Sequence, residues 1–84
     1  MGFCERQIAQ ITGSRVSSIS GKIRRIAAKN SDFASSIREG CYFDRNGRKR
    51  REYVLSAAGL RMFAETVQDI TKRKMLMDMA RGAD

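Results

Sequence analysis

A glycine break between two short apolar patterns of helical period restricts this chain more than any other feature. Ile8, Ala9 and Ile11 precede Thr12-Gly13-Ser14, and Val16, Ile19, Ile23 and Ile26 follow it at spacings of three, four and three. The second set marks one face of a helix. Gly13 supplies the positive φ that a sharp turn between helices demands. A first helix over about Cys4 to Ile11 is expected, with Ile8 and Ile11 buried and Glu5, Arg6, Gln7 and Gln10 outside.

Ser14 is expected to cap a second helix over about residues 14–29 by accepting a hydrogen bond from a first-turn amide. With its apolar face turned inward, that helix presents Arg15, Ser17, Ser18, Lys22 and Arg25 outward. A helix-turn-helix of this kind offers its second helix to the major groove. Arg15, near the helix start, is suited to guanine edges, and Ser17 and Ser18 to bases or phosphates. Ser17, Ser18, Ser20 and Gly21 are weak helix formers. Small side chains there either let the helix sit deep in a groove or mark a surface under little constraint.

Periodicity fades from Asn30 to Glu39, where Asn30-Ser31-Asp32 can stop one helix and cap a short turn carrying Phe33 and Ile37 into the core. A hairpin over about residues 41–55 follows. Its signal is Asn46-Gly47, which favours a tight turn with positive φ at both central residues. A type I turn over Asp44 to Gly47 ending in a glycine bulge is the alternative, which leaves the register open by one residue. Either way Arg45, Arg48, Lys49, Arg50 and Arg51 lie on or near the tip, and Phe43, Tyr53 and Leu55 are expected to face the core. Flexible cations at such a tip can grip a phosphate backbone or enter a minor groove. They can equally serve as a solvated edge that blocks strand-to-strand aggregation.

Ser56 is placed to cap a closing helix over about residues 56–80, with Leu55 and Leu60 stapling the cap. Leu60, Phe63, Val67 and Ile70 continue one stripe; Lys74 interrupts it, and Met75, Leu76 and Met79 fall on a displaced one. The shift predicts a first half packed on the domain and a second half projecting outward. Ile70, Met75, Leu76 and Met79 are then the expected contact of a homodimer, since adaptable Met-rich faces suit interfaces.

The fold class these elements predict is α+β and mostly helical: a winged helix-turn-helix with a β-hairpin wing and a C-terminal helix, in one domain spanning residues 1–84. A hydrophobic content of 42% suffices for a small core. The net charge of +8 points to a polyanionic partner, double-stranded DNA above all. Residues 1–30 carry six basic groups against Glu5, net +5, whereas residues 56–84 carry five against four acids, net +1. The excess therefore lies on the expected reading helix and wing.

Histidine is absent and the carboxylates stand singly among cations, so no acid–base pair or nucleophile couple suggests an enzyme. Cys4 and Cys41 alone cannot complete a structural zinc site. One disulfide is conceivable between them; two free thiols are the reading for a reducing compartment. Neither a cofactor nor a metal is expected. With no apolar run near the ~20 residues that span a bilayer, and no charged-then-apolar leader, a cytoplasmic location without membrane binding is expected.

The order Arg6-Gln7-Ile8-Ala9, Gly13, Ile19, Ile23-Arg24, then Tyr42-Phe43-Asp44-Arg45-Asn46-Gly47-Arg48, then Tyr53-Val54-Leu55-Ser56 and Gly59-Leu60 resembles the N-terminal domain of Rha-type phage regulatory proteins. The likeness runs over about residues 5–64. It implies a phage or prophage origin, hence a bacterial host cell, a winged-helix fold and a regulatory role linked to DNA. The rival class is a small phage-encoded inhibitor that docks on a host protein or nucleoprotein, such as a defence complex. The same Arg and Lys would serve an acidic protein surface.

Overall fold

The computed structural model describes residues 2–82. It is α+β and mostly helical, with one three-stranded antiparallel sheet. A short strand β1 (Phe3–Cys4) runs straight into α1 (Glu5–Thr12), and Gln7 reaches back to accept the Cys4 amide at 2.9 Å. Gly13 ends α1 at φ 67°, the left-handed conformation that glycine adopts without a steric cost. The second helix, α2 (Val16–Lys29), has Arg15 as its N-cap, with no side-chain cap bond. Ser14 therefore does not cap it: its Oγ accepts from Thr12 Oγ1 at 3.1 Å inside the turn instead. Ile19 and Ile23 are buried, with Val16, Ile26 and Ala27 packed beside them, as the spacing predicts.

Asn30 accepts the Phe33 amide at 3.1 Å and caps the one-turn helix α3 (Ser31–Ser35), which drives Phe33 fully into the core. Strand β2 (Ile37–Phe43) begins earlier than the sequence suggests, and β3 (Lys49–Leu55) pairs with it from Ile37↔Leu55 to Phe43↔Lys49. The turn between them is the bulged alternative. Gly47 donates to the Asp44 carbonyl at 2.9 Å and has φ 76°, and no other described residue of the turn has positive φ. β1 adds on the far side of β3, giving the strand order β1-β3-β2.

Alternation along the strands sorts the hairpin into two faces. Ile37, Leu55, Glu39, Tyr53, Cys41, Arg51, Phe43 and Lys49 share one; Arg38, Val54, Gly40, Glu52, Tyr42 and Arg50 share the other. Leu55 is buried and Tyr53 half-buried, yet Phe43 is 71% exposed, so it makes no core contact. The period is right and the reach is not: six residues along β2 from Ile37, about 20 Å at ~3.3 Å each, the ring stands beyond the helices that cover the sheet.

The closing helix is two helices. Ser56 accepts the Gly59 amide at 3.1 Å and starts α4 (Ala57–Glu65). Thr66 Oγ1 bonds back to the Phe63 carbonyl at 2.7 Å, and Asp69 accepts the Lys72 amide at 3.1 Å to start α5 (Ile70–Gly82). The reversal folds α5 onto α4 and α1 rather than projecting it. Leu76, expected in a dimer contact, is fully buried in the protein's own core, and Met79 packs partly against it. Of that expected contact only Ile70 (78%) and Met75 (44%) remain exposed. Because Leu76 fills the core, Leu76→Ala should destabilise the chain by about 2–5 kcal/mol, as for other buried leucines. Urea unfolding followed by circular dichroism checks this; a loss below about 1 kcal/mol would mean that α5 is dispensable to the fold.

Candidate nucleic-acid interface

The first turn of α1 decides how α2 sits on the sheet. Glu5, expected at the surface, is 2% exposed; its carboxylate accepts from the Ser20 hydroxyl of α2 and from the Tyr53 amide of β3. Ser20 is thus half-buried and engaged with Glu5. On the sheet's other face Arg6 holds Glu52 in a two-pronged ion pair, Nε to Oε2 at 3.0 Å and the second nitrogen to Oε1 at 2.9 Å. The same guanidinium lies 3.9 Å above the Tyr42 ring. Two adjacent residues of α1 therefore grip the sheet from both sides, which fixes the hairpin relative to α2.

The outer stripe of α2, opposite Ile19 and Ile23, carries Ser17, Gly21, Arg25 and Ala28. Arg15 and Ser18 are exposed at its start, and Arg25 is exposed toward the flank facing α4. Lys22 does not reach the outer stripe. It is half-buried on that flank, its Nζ 5.1 Å from the Phe63 ring and 3.4 Å from the Thr66 carbonyl. Burial, and secondarily Arg25, pulls its pKa below the usual lysine range. Arg24 is exposed on the opposite flank: with Ser20 it faces Glu39, Arg51 and Tyr53 across a cleft between α2 and the sheet. Sequence reading did not single out Arg24, although its spacing of four from Ser20 puts the two on one flank of the helix.

The hairpin cations divide. Lys49 and Arg51 stand on the α2 side, and Arg45 and Arg48 are exposed at the turn. Arg50 goes to the opposite face, where its Nε donates to Asp44 at 2.9 Å. Arg15, Arg24, Arg25, Arg45, Arg48, Lys49 and Arg51 make no ion pair with a described residue. Both cysteines are free thiols, Cys4 half-buried and Cys41 exposed. Among the described residues no cluster of His, Cys, Asp or Glu is arranged to hold a metal ion, and no helix is long and apolar enough to cross a membrane.

Asp44 organises the tip. Its Oδ1 accepts the amides of Asn46 and Arg48, each at 2.9 Å. The Arg48 amide first, then the Arg50 side chain, hold its carboxyl below the ordinary value of 3.8. A depressed carboxylate stabilises the turn above its ordinary pKa and loses that contribution as pH falls through the folded value. Hydrogen-exchange protection of the Arg48 amide should therefore fall as pH drops below 3.8, and Asp44→Ala should lower it throughout. Protection that stays level across that range would show the turn to be independent of the carboxylate. Comparison with protein-family models, with curated proteins and with solved structures finds no match.

Proposed function

We propose that the chain is a winged-helix DNA-binding protein of the phage-regulatory kind, with α2 in the major groove and the β2–β3 hairpin on the backbone or in the adjacent minor groove. One observation carries the reading. The cations of α2's outer side and of the hairpin face turned toward it are free of ion pairs, and three of the acids nearby are already engaged, Glu39 alone standing exposed on that hairpin face. Glu5 is hydrogen-bonded, Glu52 is paired with Arg6, and Asp44 is tied into the turn. A surface so arranged presents unpaired positive charge on two elements held at a fixed separation, which suits two rows of phosphates. The order of elements agrees: a helix-turn-helix, then a hairpin, with β1 closing the sheet against β3.

Within this reading Arg15 reads bases near the start of α2, and Arg24, Arg51, Lys49 and Arg48 hold phosphates. Fluorescence anisotropy with random duplexes over a salt series tests it. With roughly six phosphates neutralised, log K should fall with log salt at a slope of about −5. Arg24→Ala and Arg51→Ala should each weaken all duplexes alike and flatten the slope by about 1, whereas Arg15→Ala should shift preference at one base pair by about 1–3 kcal/mol. Failure to bind any duplex at roughly 50 mM salt would sink the DNA reading and leave the same cations to an acidic protein partner.

A further inference from the structure

Phe43 is a large side chain that neither the core nor the proposed phosphate contacts use. Its ring is 71% exposed at the end of β2, although aromatic rings of this size are strongly driven out of water. It does not ride on a loose tip. The next residue, Asp44, closes the turn through the Asn46 and Arg48 amides and the Arg50 side chain, all at 2.9 Å. The ring shares the α2-facing side of the hairpin with Lys49, directly opposite, and with Arg51 beyond it. Arg45 and Arg48 are exposed at the turn. The adjacent acid, Asp44, is already bonded, and Glu39, the other acid on that face, lies four residues back along β2, so these cations at the ring's end of the hairpin are unneutralised. An apolar patch on a protein would need a rim of carboxylates to match it. A base stack flanked by phosphates has that pattern built in.

Resting on the duplex-binding reading above, we infer that Phe43 is an apolar wedge. The hairpin cations hold phosphates on either side of the minor groove while the ring enters between adjacent base pairs, unstacks the step and kinks the duplex. A residue acting in this way selects sites by how easily a step opens, pyrimidine–purine steps first. It contributes specificity without a hydrogen bond to any base.

The test uses the full chain and a duplex with a central TA step, labelled at both ends for energy transfer, with anisotropy reporting binding in the same sample. The chain has no Trp, so Phe43→Trp introduces a single indole reporter. Wild type should bend the duplex by about 20–90°. Phe43→Ala, at an exposed position where circular dichroism should confirm the fold, should still bind within about tenfold but leave the duplex straight, because the ring exchanges stacking for unstacking. Phe43→Trp should restore the bend, and its fluorescence should be quenched on binding. Binding by wild type without a change in energy transfer, equal bending by Phe43→Ala, or an unquenched Trp would each overturn the wedge and leave duplex binding standing. No anisotropy change with wild type would overturn the DNA reading itself, and the wedge with it.

Discussion

The structure turns on one buried carboxylate. The register Phe3↔Leu55, Cys4↔Val54 would next oppose residue 5 to Tyr53, but there the chain leaves the sheet and becomes a helix. The Tyr53 amide would lose its partner at that point, and an unpaired buried amide is costly. Glu5 takes over through its side chain: one oxygen accepts the amide the strand abandoned, and the other accepts the Ser20 hydroxyl. A single residue thus ends β1, begins α1, completes the ladder of β3 and anchors α2. Removing a carboxylate held this way leaves two donors without acceptors, so the sheet and the α1–α2 pair depend on it together.

Charge is organised by the same logic. The chain is strongly cationic, yet Glu5, Asp44 and Glu52, three of the acids near the hairpin and α2, are drawn into structural bonds. Glu52 is buried against Arg6, and Asp44 is turned into its own loop. Other acids remain exposed: Glu39 on β2, Asp32 on α3, Glu65 and Asp69 about the α4–α5 junction, and Asp78 in α5. Positive potential is therefore raised both by the number of cations and by the engagement of Glu5, Asp44 and Glu52. Each of those groups also stiffens the element it sits in.

How much of this the sequence disclosed follows from which interactions were local. The pair α1 and α2 with the turn between them was legible because Gly13 and the Val16–Ile26 stripe are set by period and by one backbone conformation. The hairpin was legible because Asn46-Gly47 admits few turns. The break at Thr66–Asp69 was not read, since Leu60, Phe63, Val67 and Ile70 keep a helical spacing across it. Its only sequence sign was Asp69 three residues before the Lys72 amide it accepts. Glu5, Arg6 and Glu52 were illegible for another reason: their partners lie 15 to 48 residues away, beyond any periodic argument. In the candidate interface the outward positions of α2 came out correctly except at Lys22 and Arg24. A helical projection gives a direction, but only the packing of α4 shows which outward direction is covered. The hairpin's alternation was also sound, and what it lacked was the distance at which the covering helices stop.

The packing of α5 on α1 bears on the order in which the chain can become folded. The residues that would read a ligand are made early, but α1 is completed by Leu76 and Ala80, and β1 by a strand some fifty residues later. A nascent chain holding only the first two helices has neither the cover for Ile8 nor a ladder for Phe3. Its cationic surface therefore cannot be assembled ahead of the rest. A product truncated before α5 would carry the charge of α2 and the hairpin without the cover that α5 gives to α1.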